Sequence, residues 1–108
     1  MLSYKIVFPS GYQVSNLLDD NLDVNIVFQD GRVFFATLFT LDNIQRLMKK
    51  ESAVYFWATD MIIVKDLSEG TIDEAIKKMI KDAYLEQALS EIGTIESVLG
   101  KGQTFDTI

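Results

Sequence analysis

Hydrophobic and polar positions alternate most regularly from Leu22 to Phe28, where Leu22, Val24, Ile26 and Phe28 are separated by Asp23, Asn25 and Val27. Period two is the mark of a half-buried strand. Asp30-Gly31 follows, a dipeptide that tolerates the positive φ angles of a two-residue hairpin turn. Counting outward from such a turn, Phe28 faces Val33, Ile26 faces Phe35, Val24 faces Thr37 and Leu22 faces Phe39, all on one face of the sheet. The other face then pairs Val27 with Phe34, Asn25 with Ala36 and Asp23 with Leu38, a mixed surface that something else partly covers. Upstream, Tyr4 to Phe8 reads as a short strand stopped by Pro9 and Gly11. The polar stretch "GYQVSNLLDDN" is either a loop or a helical turn through Val14, Leu17 and Leu18.

Beyond the hairpin the period changes. Thr40 is a candidate cap for a helix with Leu41, Ile44, Leu47 and Met48 on one side and Arg46, Lys49 and Lys50 near its end, where cations suit the helix dipole. Next comes "YFWATDMIIV", Tyr55 to Val64, the most apolar ten residues in the chain, interrupted only at Thr59-Asp60. A tight turn there predicts a second hairpin, with Tyr55, Trp57, Ile62 and Val64 on one face and Phe56, Ala58, Met61 and Ile63 on the other. Both faces are apolar, as in central strands covered on two sides. Trp57 is accordingly expected in or against the sheet core. "TIDEAIKKMIKDA" predicts a helix opened by a Thr71–Glu74 capping box and striped by Ile72, Ala75, Ile76, Met79, Ile80 and Ala83. Helical spacing runs on through Leu85, Ala88, Leu89 and Ile92 to a stop at Gly93, and the stripe rotates at Tyr84. "GKGQTFDTI" is expected to be a loose tail after about residue 100.

These elements predict one α+β domain over residues 1–108, with a mainly antiparallel sheet of about five strands and two or three helices packed on one face. A hydrophobic share of 48% with 24% charged residues is compatible with a packed core and carries no disordered bias.

Candidate chemistry narrows quickly. The chain has no cysteine and no histidine, which removes disulfides, thiol nucleophiles, His-assisted catalysis and the usual zinc sites. Asp19, Asn21, Asp23 and Asp30 fall at the first, third, fifth and twelfth positions of a calcium loop, but Val24 stands where the sharp turn needs glycine. "GKGQT" lacks both the spacing of a phosphate loop and a following helix. Asp60 has no companion carboxylate at a legible spacing for acid–base work, so it reads as a turn residue. Lys77, Lys78 and Lys81 read as a solvated helix face. No cofactor, metal or catalytic residue is expected, and the protein is not expected to be an enzyme.

Ten basic against sixteen acidic residues leave a net charge of −6, the wrong sign for nucleic acid or an anionic membrane. The N-terminal apolar stretch is shorter than a signal peptide needs and no segment is long enough to span a bilayer, so a cytoplasmic location is expected. In "FFATLFTLDNIQRLM" and "YFWATDMIIVKDLSEGTIDEAI" it resembles small bacterial cytoplasmic proteins of toxin-immunity type. The resemblance lies in the layout of about two thirds of the chain and carries no catalytic residue across. Immunity proteins are small, often acidic, and mask a frequently basic toxin surface. The resemblance implies a protein-binding module; Asp19, Asp20 and Asp60, which flank apolar strands at expected turns, and Trp57 beside Asp60 are the candidate contact residues. The alternative is a homo-oligomer, such as a dimer, in which a second copy covers the doubly apolar strands.

Overall fold

The computed structural model describes residues 2–108. The fold is α+β. Five strands form one sheet: β1 (Tyr4–Val7), β2 (Asn21–Phe28), β3 (Arg32–Phe39), β4 (Met61–Ile63) and β5 (Ser90–Thr94). The helices are α1 (Leu41–Glu51), α2 (Glu69–Lys81), α3 (Leu85–Ala88) and α4 (Ile95–Leu99). Strands β1, β2 and β3 are antiparallel neighbours in chain order. The far edge of β3 is shared: β4 runs parallel to its C-terminal end, and β5 antiparallel to its N-terminal end.

The first hairpin forms where its alternation predicts, but its register differs by one residue. Ile26 lies opposite Phe34 and Val24 opposite Ala36, because the loop holds Gln29, Asp30 and Gly31 rather than two residues. Gly31 adopts φ +97° and donates to the Phe28 carbonyl at 2.9 Å, the kind of three-residue connection that needs a glycine in its last position. The shift turns Phe34, Ala36 and Leu38, not Phe35 and Thr37, toward Leu22, Val24, Ile26 and Phe28 in the main core. Val33, Phe34 and Phe35 are all apolar, so β3 had no alternation of its own to oppose either register.

Helix α2 covers that core face with buried Ile72 and Ile76, and with Ala75, Met79 and Ile80 packed beside them. Its cap is Ser68, three residues before the expected Thr71. The Ser68 hydroxyl accepts from the Thr71 N–H at 3.2 Å, while Asp66 accepts from the Ser68 N–H and hydroxyl at 2.9 and 2.6 Å. Thr40 caps α1 as its sequence predicts. The opposite face of the sheet carries a second, smaller core of Val27, Val33 and Ile95, with Val98, Phe105 and Ile108 against it. Residues 101–108 are therefore not the loose tail expected: Phe105 and Ile108 are half-buried, and Lys5 Nζ donates to their carbonyls at 2.6 and 3.1 Å.

Two further departures have physical causes. Residues 55–58 form no strand, so the second hairpin does not exist and Trp57 lies outside the core. Met61–Ile63, the half of the hairpin that does extend, pairs in parallel with Thr37–Phe39 of β3 instead of with residues 55–58. Helical spacing after Tyr84 delivers only α3, after which Leu89 extends (ψ 152°) into β5. Ser90–Thr94 carries a single large apolar residue, Ile92, and a bulge opposite Val33/Phe34 leaves that side chain exposed. No periodicity announces such a strand.

Candidate functional site

The most exposed large apolar residues stand together in the segment that links α1 to β4. Val54, Tyr55 and Trp57 are 92%, 69% and 68% exposed, although the sequence predicts a strand here. Exposure of this extent in three of four consecutive residues is not a by-product of fraying, because the segment is tied down at both ends and in the middle. At its start, the left-handed Ser52 (φ 53°) closes α1, and the Ala53 N–H donates to the Met48 carbonyl at 2.9 Å. In the middle, the Phe56 ring packs edge-on against Phe39 with centroids 5.1 Å apart. The alternation thus works locally: Phe56 turns inward and its neighbours turn out.

At the far end of the segment stands Asp60, whose φ of 56° is left-handed. Its carbonyl accepts from the Thr37 N–H at 3.0 Å, and its carboxylate accepts from both the N–H and the hydroxyl of Ser90 at 2.8 Å each. Asp60 therefore sits where β4 and β5 meet along β3 and stitches the start of one strand to the start of the other. It is a turn residue, as its context predicts, but the turn joins no hairpin. The main-chain carbonyl and Oδ1 of Asp60 are engaged within the fold.

Asp19 and Asp20 lie at the end of the loop entering β2. Asp19 accepts from Arg46 Nε at 2.9 Å and from Asn43 Nδ2 at 3.2 Å. The Arg46 guanidinium, and then the Asn43 amide, hold its carboxyl below the ordinary carboxylate value. Asn43 is buried in α1, and its own carbonyl accepts from Asn21 at 3.0 Å, so this polar cluster fastens α1 to the start of β2. Asp20 exchanges bonds with Thr40 through its main chain, while its carboxylate accepts from the Asn21 N–H at 2.8 Å. The structure thus places Trp57 on the surface, Asp60 at the β4/β5 joint, and Asp19 and Asp20 together beside α1. It joins Asp19 to Asp20 but brings neither to Asp60.

Near Asp19 the chain exposes Leu17, Leu18 and Leu41, and Leu18 and Leu41 line a shallow hollow with Val64 and Lys65. Sequence reasoning missed these leucines as surface residues. The usable signal was the neighbouring run of polar residues, which leaves "NLL" no amphipathic element to bury it.

Among the described residues there is no cluster of three or more His, Cys, Asp or Glu able to hold a metal ion, and no helix is long and apolar enough to cross a membrane. The calcium spacing fails because Asn21 and Asp23 lie in the extended strand β2, with Asp19 and Asp30 at its two ends. No protein-family model, curated protein or solved structure matches the chain. The site offers aromatic and aliphatic contact area on an anchored segment.

Proposed function

We propose that the protein is a non-enzymatic binding module for another protein, with Val54, Tyr55 and Trp57 as the centre of its contact surface. The observation that carries this reading is the exposure of those three side chains on a segment pinned by Phe56. Tryptophan and tyrosine dominate the energetics of protein interfaces. A pinned segment also loses little conformational freedom on binding, which leaves more of the contact energy for affinity.

The net charge of −6 favours a basic partner, drawn in by long-range attraction. Asp20 supplies negative charge beside the exposed Leu17 and Leu18, whereas the charge of Asp19 is matched by Arg46. A basic toxin bound in immunity-protein fashion fits this chemistry, and so does a cytoplasmic setting for a chain without cysteine. The absence of cysteine and histidine supports a role without catalysis. A second reading, self-association through the same end of the sheet, draws on Leu18, Leu41 and Ile63, which are all exposed there.

The test begins with the partner that co-purifies with the untagged protein from its native cell. Trp57→Ala and Tyr55→Ala should each raise its dissociation rate about tenfold or more, the size of a hot-spot loss. Neutralising Asp20 should lower the association rate and weaken its salt dependence. Unchanged kinetics in both aromatic variants would remove this surface from the interface. Sedimentation of the purified chain as a dimer, abolished by Leu41→Glu, would establish the second reading instead.

A further inference from the structure

We propose that the outer edge of β1, together with the groove between β1 and α2, accepts an extended cationic segment of a partner protein as an added strand. This surface is separate from the Val54–Trp57 segment.

Among the described residues, strand β1 ends the sheet and pairs only with β2. The Ser3 carbonyl accepts from the Gln29 N–H at 3.0 Å, and the register continues through Lys5↔Val27 and Val7↔Asn25. In an antiparallel ladder, alternate residues exchange both of their bonds with the neighbour. Ser3, Lys5 and Val7 are those residues here. The N–H and C=O groups of Tyr4 and Ile6 therefore point away from the sheet, where they form a template for one more strand.

Proteins usually guard such an edge, often with a lysine. Lys5 does not serve. Its ammonium is drawn to the opposite face, where it donates to the Phe105 and Ile108 carbonyls and lies 4.7 Å from the centre of the Phe105 ring. Pro9 stands beyond the end of the strand.

Beside this edge is an open groove of about 620 Å³, with Leu2, Ile6 and Phe8 on the strand side and Glu69, Asp73 and Lys77 on α2. The two carboxylates are held in place by phenols: Tyr4 donates to Asp73 Oδ1 and Tyr12 to Glu69 Oε1, each at 2.8 Å. Each tyrosine occupies one carboxylate oxygen. Neither carboxylate takes part in an ion pair among the described residues.

An added strand would send every second side chain toward α2. Main-chain bonds to Tyr4 and Ile6 would supply much of the affinity, while the groove would select the inward side chains. Ile6 and Phe8 suit an apolar one, and Asp73 and Glu69 suit a lysine or arginine two residues away. Two carboxylates against one ammonium set the preferred sign.

The probes are two blocked heptapeptides with threonine at the outward positions. One carries lysine, valine and lysine at the inward positions; the other replaces both lysines with glutamate. Titrated into the nitrogen-15-labelled full chain, the lysine peptide should shift the amides of Tyr4 and Ile6 and slow their hydrogen exchange. It should bind about fivefold or more tightly than the glutamate peptide, in keeping with two exposed charge contacts. Glu69→Gln with Asp73→Asn should erase that preference yet keep the new protection at Tyr4 and Ile6. Ile6→Pro, which deletes one outward N–H, should abolish binding. Should that variant fail to fold, Asp73→Lys should reverse the preference.

Three results would overturn the proposal: no shift at millimolar peptide, equal affinity for the two peptides, or shifts confined to residues 54–57. Protection of Tyr4 and Ile6 that rises with protein concentration alone would also overturn it, by giving the edge to a second copy.

Discussion

Trp57 shows how one residue can be misplaced by its neighbours. Its surroundings are apolar enough to predict a core position, yet its indole is 68% exposed. A surface side chain with few contacts contributes little to folding, so Trp57→Ala should change stability by less than about 0.5 kcal/mol. A thermal melt of the variant checks this, and a large fall in melting temperature would return the ring to the core. Asp60 is the reverse case. Its carboxylate holds two bonds to Ser90 in a left-handed conformation that aspartate and asparagine tolerate better than alanine. Asp60→Ala should cost about 1.5 to 3 kcal/mol, the range for bonds to a charged group. Asp60→Asn keeps an acceptor and the backbone preference, so it should cost less than half as much in urea denaturation. Equal losses from the two variants would mean that the joint between β4 and β5 does not depend on this side chain.

At the scale of elements, short pieces depend on their junctions. Strand β5 passes directly into α4, and the turn between them is crowded. Gly93 has φ +150°, and a Cβ built there would lie 2.5 Å from Ser97 Oγ. That hydroxyl accepts from the Thr94 N–H at 2.9 Å and completes the capping box of α4. Gly31, by contrast, has open space around it, so a side chain there meets only backbone strain of about 1 to 2 kcal/mol. Gly93→Ala should therefore cost more than Gly31→Ala. The cost should also depend on Ser97: in a double-mutant cycle, Gly93→Ala should be less damaging in a Ser97→Ala background, by about 0.5 to 1 kcal/mol or more. Strict additivity would show that the clash is relieved elsewhere. Arg32 is another junction, since it pairs with Asp30 at 2.9 Å and with Glu86 on α3 while lying over Phe28 and Phe34. The hairpin and α3 are thereby held against one another.

Across the whole molecule, the C-terminal segment makes the sheet two-sided. Phe105 is half-buried over Val27, Val33 and Ile95, so Phe105→Ala should cost about 1.5 to 2.5 kcal/mol, roughly half the loss for a fully buried phenylalanine. Hydrogen exchange should then rise at Lys5 and Val33. Protection unchanged at both would mean that the segment adds nothing to the fold. The pH dependence also belongs to the whole molecule. With no histidine, no side chain with an ordinary pKa titrates between about pH 5 and 8. Asp19, Asp30 and Asp66 are held below their usual value of 3.8, chiefly by hydrogen bonds from Arg46, from the Arg32 main chain and from Ser68. Lowered folded-state values give stability that is present above pH 3.8 and lost as the pH falls through the lower folded values. Tyr4 goes the other way: burial, and then its bond to Asp73, push its phenol from 10.0 to about 12. Its contribution is complete below pH 10.0 and disappears as the pH rises toward 12. Melting temperature should be flat from about pH 5 to 9 and fall on both sides. Tyr4→Phe should weaken the alkaline decline but not abolish it, because Tyr12 is also raised by its bond to Glu69.

The sequence by itself determined what depends on near neighbours. The alternation from Leu22 to Phe28, the Thr40 cap, the Ile72–Ile76 stripe and the missing cysteine and histidine are each readable within a few residues or from composition. An α+β fold and a chain without thiol or imidazole chemistry follow from them. Tertiary structure decided what depends on competition between distant segments. The outer edge of β3 can be filled only once, and β4 and β5 fill it end to end; β4 pairs there and not with residues 55–58, which form no strand and leave Tyr55 and Trp57 exposed. A polar strand such as Ser90–Thr94 exists because β3 offers it unpaired main-chain groups. The register of the first hairpin turned on one extra loop residue, because the apolar run from Val33 to Phe35 satisfies either face. The C-terminal residues order because Val27 and Val33 would otherwise face water, and no local pattern in "GKGQTFDTI" records that need.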